Sequence, residues 1–296
     1  QRLRLDLLHS PTYTWSILAP VPGIVTICDM LYKTYPESIQ RLKLHFWRLF
    51  IPWSVKRCRR VLTISENSKR DIIYHLGVKP EKIIVTPLAL DSSLLHAAYI
   101  PEDQIQRVRA SYHLQGPYLL DVGGVGEHKN PCVILRALAL LYQRRMTNDL
   151  SLVITGNDYG AEQEIHRLAH ELGLDGHVYL PGYVPRQDLP ALYSGAAAYV
   201  SPSYFEGFGL TLLEAMAYGT PVITSNRSSL PEVADDAALI IDPDAPDQLA
   251  DSIKCLLTDA ALRAQLVEKG YRRIQTYSWE TTARITLEAF RSVVED

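Results

Sequence analysis

From Tyr118 onward, short β-branched and leucine-rich runs alternate with longer amphipathic stretches, a rhythm that predicts strands separated by helices. The strand runs are YLLDVGG, SLVIT, HVYL, AAYV, PVITS and ALII. Helices are predicted over 130–146, 160–172, 186–195 and 246–258, each long enough for a right-handed crossover between parallel strands. A doubly wound parallel sheet is the expected result. The N-terminal part offers LDLL, IVTI, RVLTI and KIIVTP as strands, with helices near 38–58 and 67–76 and Ser65 as an N-cap. Four strands facing six predict a second, smaller lobe with an open edge, which a preceding segment or another chain is expected to cover. The segment 90–117, with Pro101, Gly116 and Pro117, is the expected hinge.

Composition narrows the function classes. The chain has 296 residues, suited to two domains, and a net charge of -3, which argues against a nucleic-acid partner and leaves any anion site local. Cys28, Cys58, Cys132 and Cys255 lie far apart with no metal-ligand spacing, as reduced cytosolic thiols do. No run approaches the roughly 18 apolar residues of a spanning helix, and the N-terminus lacks a signal-peptide core, so a cytoplasmic protein is expected, either soluble or peripheral to the cytoplasmic membrane. Because the chain opens without Met and reaches LDLLHS almost at once, a start inside a fold is expected.

Residues 200–225, VSPSYFEGFGLTLLEAMAYGTPVITS, hold the densest chemistry. They read as strand end, glycine turn, short helix, Gly219 stop, Pro221 and next strand. Beyond the carboxyl ends of a parallel sheet, a helix N-terminus offers free N–H groups to a phosphate. Glu206 in the turn and Glu214 one turn inside the helix would repel that phosphate, so their expected partners are sugar or ribose hydroxyls.

This segment resembles the Glu-x7-Glu motif of the family-4 retaining glycosyltransferases. IVTICDM, RVLTISENSKRDI, VKPEKIIVTPLALD, YLLDVGGVGEHKN, LVITG, VYLPGYVPRQDLPALYSGA and YSWETTARITLEAF extend the likeness over nearly the whole chain. The resemblance implies the GT-B fold, an α/β architecture of two Rossmann-like doubly wound domains facing a cleft, here with the N-terminal one incomplete. The implied division is a partial acceptor-binding domain over 1–113, a nucleotide-sugar-binding domain over 114–278, and a C-terminal helix, 279–296, crossing back with Trp279 near the crossing. The implied reaction is transfer of a hexose-type sugar, such as mannose or glucose, from a nucleoside diphosphate sugar to a glycan, lipid-linked or other acceptor.

The resemblance also implies site roles. Glu206 contacts the transferred sugar, Glu214 holds the ribose, and the backbone of Phe208, Gly209, Leu210 and Thr211 meets sugar and phosphates. Lys129 is the cation for the diphosphate, beside Gly124, and the loop at Tyr183 and Val184 reads the base. Glu206 and Lys129 are the expected catalytic residues, with no cofactor and no metal. Two positions depart from the family: relatives carry Arg where Gly124 stands or just before the lysine, at His128, and a His-Asp pair where this chain has Cys28-Asp29. Cys28 is expected to be a small buried thiol. Asp242 and Asp244 spell a D-x-D but follow ALII and precede Ala-Pro, as turn residues do. Arg41 to Arg60 mixes seven cations with Trp47, Phe50 and Trp53; it suits either an anionic membrane surface or a helix pair broken near Pro52, and the second reading is preferred. The functional alternatives are a non-catalytic nucleotide-sugar-binding or scaffold protein, and an epimerase or phosphorylase of similar architecture.

Overall fold

A computed structural model describes residues 5–14, 21–91, 100–157 and 160–295. They form two compact units: the described residues within 1–89, 206–208 and 277–296, and those within 90–205 and 209–276.

In the first unit, β1 (Leu8–Ser10), β2 (Gly23–Thr26), β3 (Arg60–Thr63) and β4 (Ile83–Val85) pair in chain order, all parallel. Side-chain alternation sends Val25, Val61 and Ile83 to one face, where Leu44, Ile51, Val55 and Ile72 of the helices Arg41–Arg57 and Glu66–Leu76 cover them. Ile24 and Leu62 point to the other face, against Ala289 and Val293 of the helix Trp279–Val294. Two expectations are corrected here. The first strand begins at Leu8 rather than Leu5, because pairing with β2 starts where Leu8 N–H donates to Pro22 C=O (3.0 Å), while Leu5 is exposed. Pro52 does not break the helix Arg41–Arg57. Proline removes one intrahelical hydrogen bond, a cost of about 3 kcal/mol, and burial of Leu44, Ile51 and Val55 on both sides of it outweighs that loss.

The second unit holds six parallel strands in the order β7-β6-β5-β8-β9-β10. These are β5 (Tyr118–Val122), β6 (Ser151–Thr155), β7 (Val178–Gly182), β8 (Ala198–Ser201), β9 (Val222–Ser225) and β10 (Ala238–Ile241). The chain winds outward from β5 to β7, then returns to β5's other side with β8, the order of a Rossmann sheet. Helices Pro131–Gln143, Glu162–Glu171 and Pro246–Thr258 bury Val133, Ile134, Leu138, Ile165, Leu249 and Ile253 in its main core. The helix Glu102–Ser111, inside the segment expected to be a hinge, packs in this unit, so the units part at 89/90 rather than 113/114. Its Ile105 and Val108 are buried, and Tyr112 Oη donates to Asp188 Oδ2 at 2.9 Å. Residues 92–99 of that segment lie outside the described residues.

Candidate functional site

The topological switch of the second unit lies between β5 and β8, and both strands end in glycine-containing turns. After β5, Gly123 (φ 134°) and Gly124 (φ 92°) both donate from N–H to Thr155 C=O at 2.9 Å. Their amides are therefore engaged, and Gly124 is itself buried, its backbone close against Gly156. A Cβ on Gly123 would lie 2.9 Å from Lys129 Nζ, so the lysine folds back over that glycine. Two contacts hold the Lys129 loop: Asn130 Nδ2 donates to Pro243 C=O (2.8 Å), and Tyr204 N–H of the β8 loop donates to His128 C=O (2.8 Å). The loop can keep its cation at the strand end without the lysine's own backbone moving.

Gly156, after β6, fixes how closely these turns approach. It has φ +123°, and a Cβ there would come within 2.5 Å of Gly124 N. Gly156→Ala is expected to destabilise the chain by about 1–3 kcal/mol from backbone strain alone, read by chemical denaturation, because the neighbour that must move is backbone.

After β8 the chain reaches Gly209 (φ 107°), the N-cap of the helix Leu210–Ala217. Only glycine adopts that backbone without strain, and a side chain would press on Leu230 Cδ2 at 3.1 Å. The helix closes at Gly219 (φ 71°) with Gly219 N–H to Met216 C=O and Thr220 N–H to Ala215 C=O, a Schellman pattern. Tyr199 Oη donates to Thr211 Oγ1 (2.8 Å), fixing the first turn, where the leading N–H groups of Leu210 and Thr211 lack intrahelical acceptors.

Glu214, in the same helix, faces a cavity of about 330 Å³ lined by Tyr183, Val184, Arg186, Tyr193 and Tyr218 among others. Tyr193 Oη donates to Glu214 Oε2 at 2.9 Å. Burial raises the Glu214 pKa, with Tyr193 and Arg186 opposing, and burial holds the Tyr193 phenol protonated as a donor. Tyr193 and Tyr218 stack 5.7 Å apart. Val184 is buried while Tyr183 is 76 % exposed, its ring standing at the mouth. Apolar walls around one ionisable acceptor suit a flat ring joined to vicinal hydroxyls.

Glu206 and Phe208 fall in the first unit. Gly207 C=O accepts from Ser65 Oγ (2.8 Å) and Ser68 Oγ (3.2 Å); Ser65 Oγ also caps the helix Glu66–Leu76 by accepting from Ser68 N–H at 3.0 Å. Phe208 packs edge-on against Tyr277 at 5.4 Å. Asp29 lies against Gly207 and accepts from Leu31 N–H at 2.9 Å; burial raises its pKa, Leu31 and Tyr13 oppose, and Glu206 adds repulsion. Cys28 beside it is half-buried rather than buried, since β2 has ended two residues earlier; its thiol is free and is pushed up by burial and then by Asp29.

Asp242 and Asp244 form a turn, Asp244 N–H donating to Asp242 Oδ1 at 3.1 Å. Arg227 pairs with both, and Tyr204 Oη donates to Asp244 at 2.7 Å. Among the described residues no three His, Cys, Asp or Glu side chains gather as metal ligands, and no helix is long and apolar enough to cross a membrane. The sequence reading missed Arg186, Tyr193 and Tyr218, which line the cavity, and Asp29 as a neighbour of Glu206. Their only signal was proximity in sequence to residues already chosen.

Residues 104–273, more than half of the chain, match the family described as Glycosyl transferases group 1, and residues 1–94 match Glycosyltransferase Family 4. The chain belongs to the group 1 glycosyl transferases. Within that family it is 32% identical over 274 residues to the O-antigen chain mannosyltransferase B of Escherichia coli, covering 91% of this chain and 70% of that protein. It is 34% identical over 223 residues to a D-inositol 3-phosphate glycosyltransferase of Corynebacterium aurimucosum, covering 72% of this chain but 52% of that one. The chain thus spans about half the length of such relatives. Among solved structures, Anabaena Alr3699/HepE in complex with UDP and glucose superposes with a TM-score of 0.77 at 19% identity, covering 92% of this chain and 72% of that one. WaaG, a glycosyltransferase involved in lipopolysaccharide biosynthesis, gives 0.74 at 20%, covering 95% and 76%. At these identities the likeness establishes the fold: two Rossmann-type units of the GT-B architecture.

Proposed function

We propose that this group 1 glycosyl transferase moves a hexose-type sugar, mannose or glucose, from a nucleoside diphosphate sugar to a glycan or lipid-linked acceptor, retaining anomeric configuration and using no metal ion. The observation that carries the reading is the presence, at one switch point, of a half-buried hydroxyl acceptor, Glu214, and a cation loop, Lys129. The named mannosyltransferase relative and the UDP-and-glucose-bound structure support the same donor class.

In this reading the cavity takes the nucleoside, with Glu214 accepting from ribose hydroxyls and Tyr183 and Val184 meeting the base. The turn at Gly123 and Gly124 borders the diphosphate, which Lys129 and the amides of Leu210 and Thr211 hold. Glu206 accepts from the sugar hydroxyls, and the backbone of Phe208 and Gly209 borders the sugar. The bond from C1 to the diphosphate oxygen breaks, the bond from C1 to the acceptor oxygen forms on the same face, and the acceptor proton passes to the departing diphosphate. Stabilising that departing charge is the main catalytic task. Asp242 and Asp244 remain turn residues because Arg227 and Tyr204 occupy them.

Radiolabelled donors differing in base and sugar, offered with glycan and lipid-linked acceptors, test this directly, with product anomers assigned by NMR. Transfer with retention, undiminished in EDTA, is expected. Donor binding without transfer would favour a scaffold, and loss in EDTA restored by Mn²⁺ would overturn the metal-free reading.

A further inference from the structure

The helix Arg41–Arg57 of the first unit has apolar side chains on two faces. Leu44, Ile51 and Val55 are buried on the sheet, whereas Leu42, Phe46 and Leu49 are 89, 47 and 67 % exposed. Spaced four and three residues apart, these three share one outward stripe, and Phe50 extends it by stacking on Phe46 at 4.3 Å. A contiguous exposed apolar surface of this kind marks a contact site.

Charge names the occupant. Between Ser38 and Ser65 stand seven Lys or Arg and no Asp or Glu, in a chain whose net charge is -3. Helical spacing puts Arg41, His45 and Arg48 along one flank of the stripe and Lys43 and Arg57 along the other. Lys56, at the end of the stripe, also lines a cavity of about 350 Å³ together with Arg59, Arg60, Lys79 and Lys82, against one carboxylate, Glu81. Lys82 is anchored there by donating to Val55 C=O at 2.6 Å. The cavity opens at the amino ends of β3 and β4, the opposite end of that sheet from Ser65 and Gly207, so it belongs to no site described above.

An apolar stripe rimmed by cations, ending in a cationic cavity, complements a surface with a hydrocarbon interior and a phosphate rim. We infer that this face docks on an anionic lipid bilayer, the stripe entering the acyl boundary and the cavity receiving a lipid phosphate. A second copy of the chain is the poorer occupant, because the same cations would then face one another. The inference deepens the lipid-linked part of the proposed acceptor and rests on it only for its purpose, since docking needs neither donor nor transfer.

The test is flotation of the whole chain with vesicles of phosphatidylcholine alone or with about one-third phosphatidylglycerol. Binding to the anionic vesicles only is expected. Phe46→Ser with Leu49→Ser, and separately Lys56→Glu with Lys79→Glu, should each weaken it about tenfold or more. All four positions are surface ones, and circular dichroism checks that both variants fold. Equal binding to neutral vesicles, or full binding by the folded variants, overturns the inference. So does a concentration-dependent mass in light scattering that Phe46→Ser with Leu49→Ser abolishes, which assigns the face to a second copy. Transfer to a water-soluble acceptor is measured without vesicles, so failure of docking and failure of the proposed reaction are distinguishable.

Discussion

Lys129→Ala is expected to lower kcat by about 10²–10³-fold, the usual effect of deleting one preorganised charge from the group that stabilises a departing anion. The lysine folds over Gly123, whose missing Cβ leaves the space its ammonium occupies, and its loop is anchored from both sides by Asn130 and His128. Replacement should therefore remove charge without collapsing the turn. Steady-state rates at saturating donor measure the effect, and calorimetry with the unphosphorylated nucleoside supplies the control, which should be unchanged. An unaltered kcat would mean that the diphosphate is stabilised elsewhere.

Glu214→Ala is expected to weaken donor binding by about 1.5–3 kcal/mol, the worth of hydrogen bonds to a charged acceptor, or roughly ten- to a hundredfold in Kd. Calorimetry with the nucleoside diphosphate reads it. The ionised form is the hydroxyl acceptor, and burial raises this carboxyl's pKa, so affinity should fall as pH drops through that raised value. Stability runs the other way. A carboxyl whose pKa is higher folded than unfolded favours folding most at low pH, and that contribution is lost as pH rises through the folded value. Above that folded value the half-buried charge is therefore a liability, and there Glu214→Gln should raise the thermal midpoint of the ligand-free chain while reducing donor affinity. A fall in both would make Glu214 a structural residue whose partner is Tyr193.

Much of the fold was legible because its determinants are local. Runs such as SLVIT and PVITS read as strands of a parallel sheet, and every residue of these runs from Ser151 to Thr155 and Val222 to Ser225 is buried. The Gly209–Gly219 frame announced its short helix through backbone conformations that other residues resist. The helix over Arg41–Arg57 was misread at Pro52, because the energy that carries it through comes from Ile51 and Val55 meeting a sheet, which no window of sequence displays.

The sequence by itself determined the two parallel sheets and the strand-turn-helix frame around Glu206 and Glu214, since both rest on periodicity and on conformations intrinsic to glycine; the family was legible through the resemblance of its motifs. Only the tertiary structure decided what surrounds them. Tyr193 is 21 residues from Glu214 and donates to it. Ser65 is 142 residues from Gly207 and holds its carbonyl. The outward stripe of Leu42, Phe46 and Leu49 was indistinguishable from a core face until the sheet was seen to take the other side. Such facts depend on which distant side chains exclude water together, and burial, pKa and hydrogen-bond partners are properties of that assembly rather than of any segment.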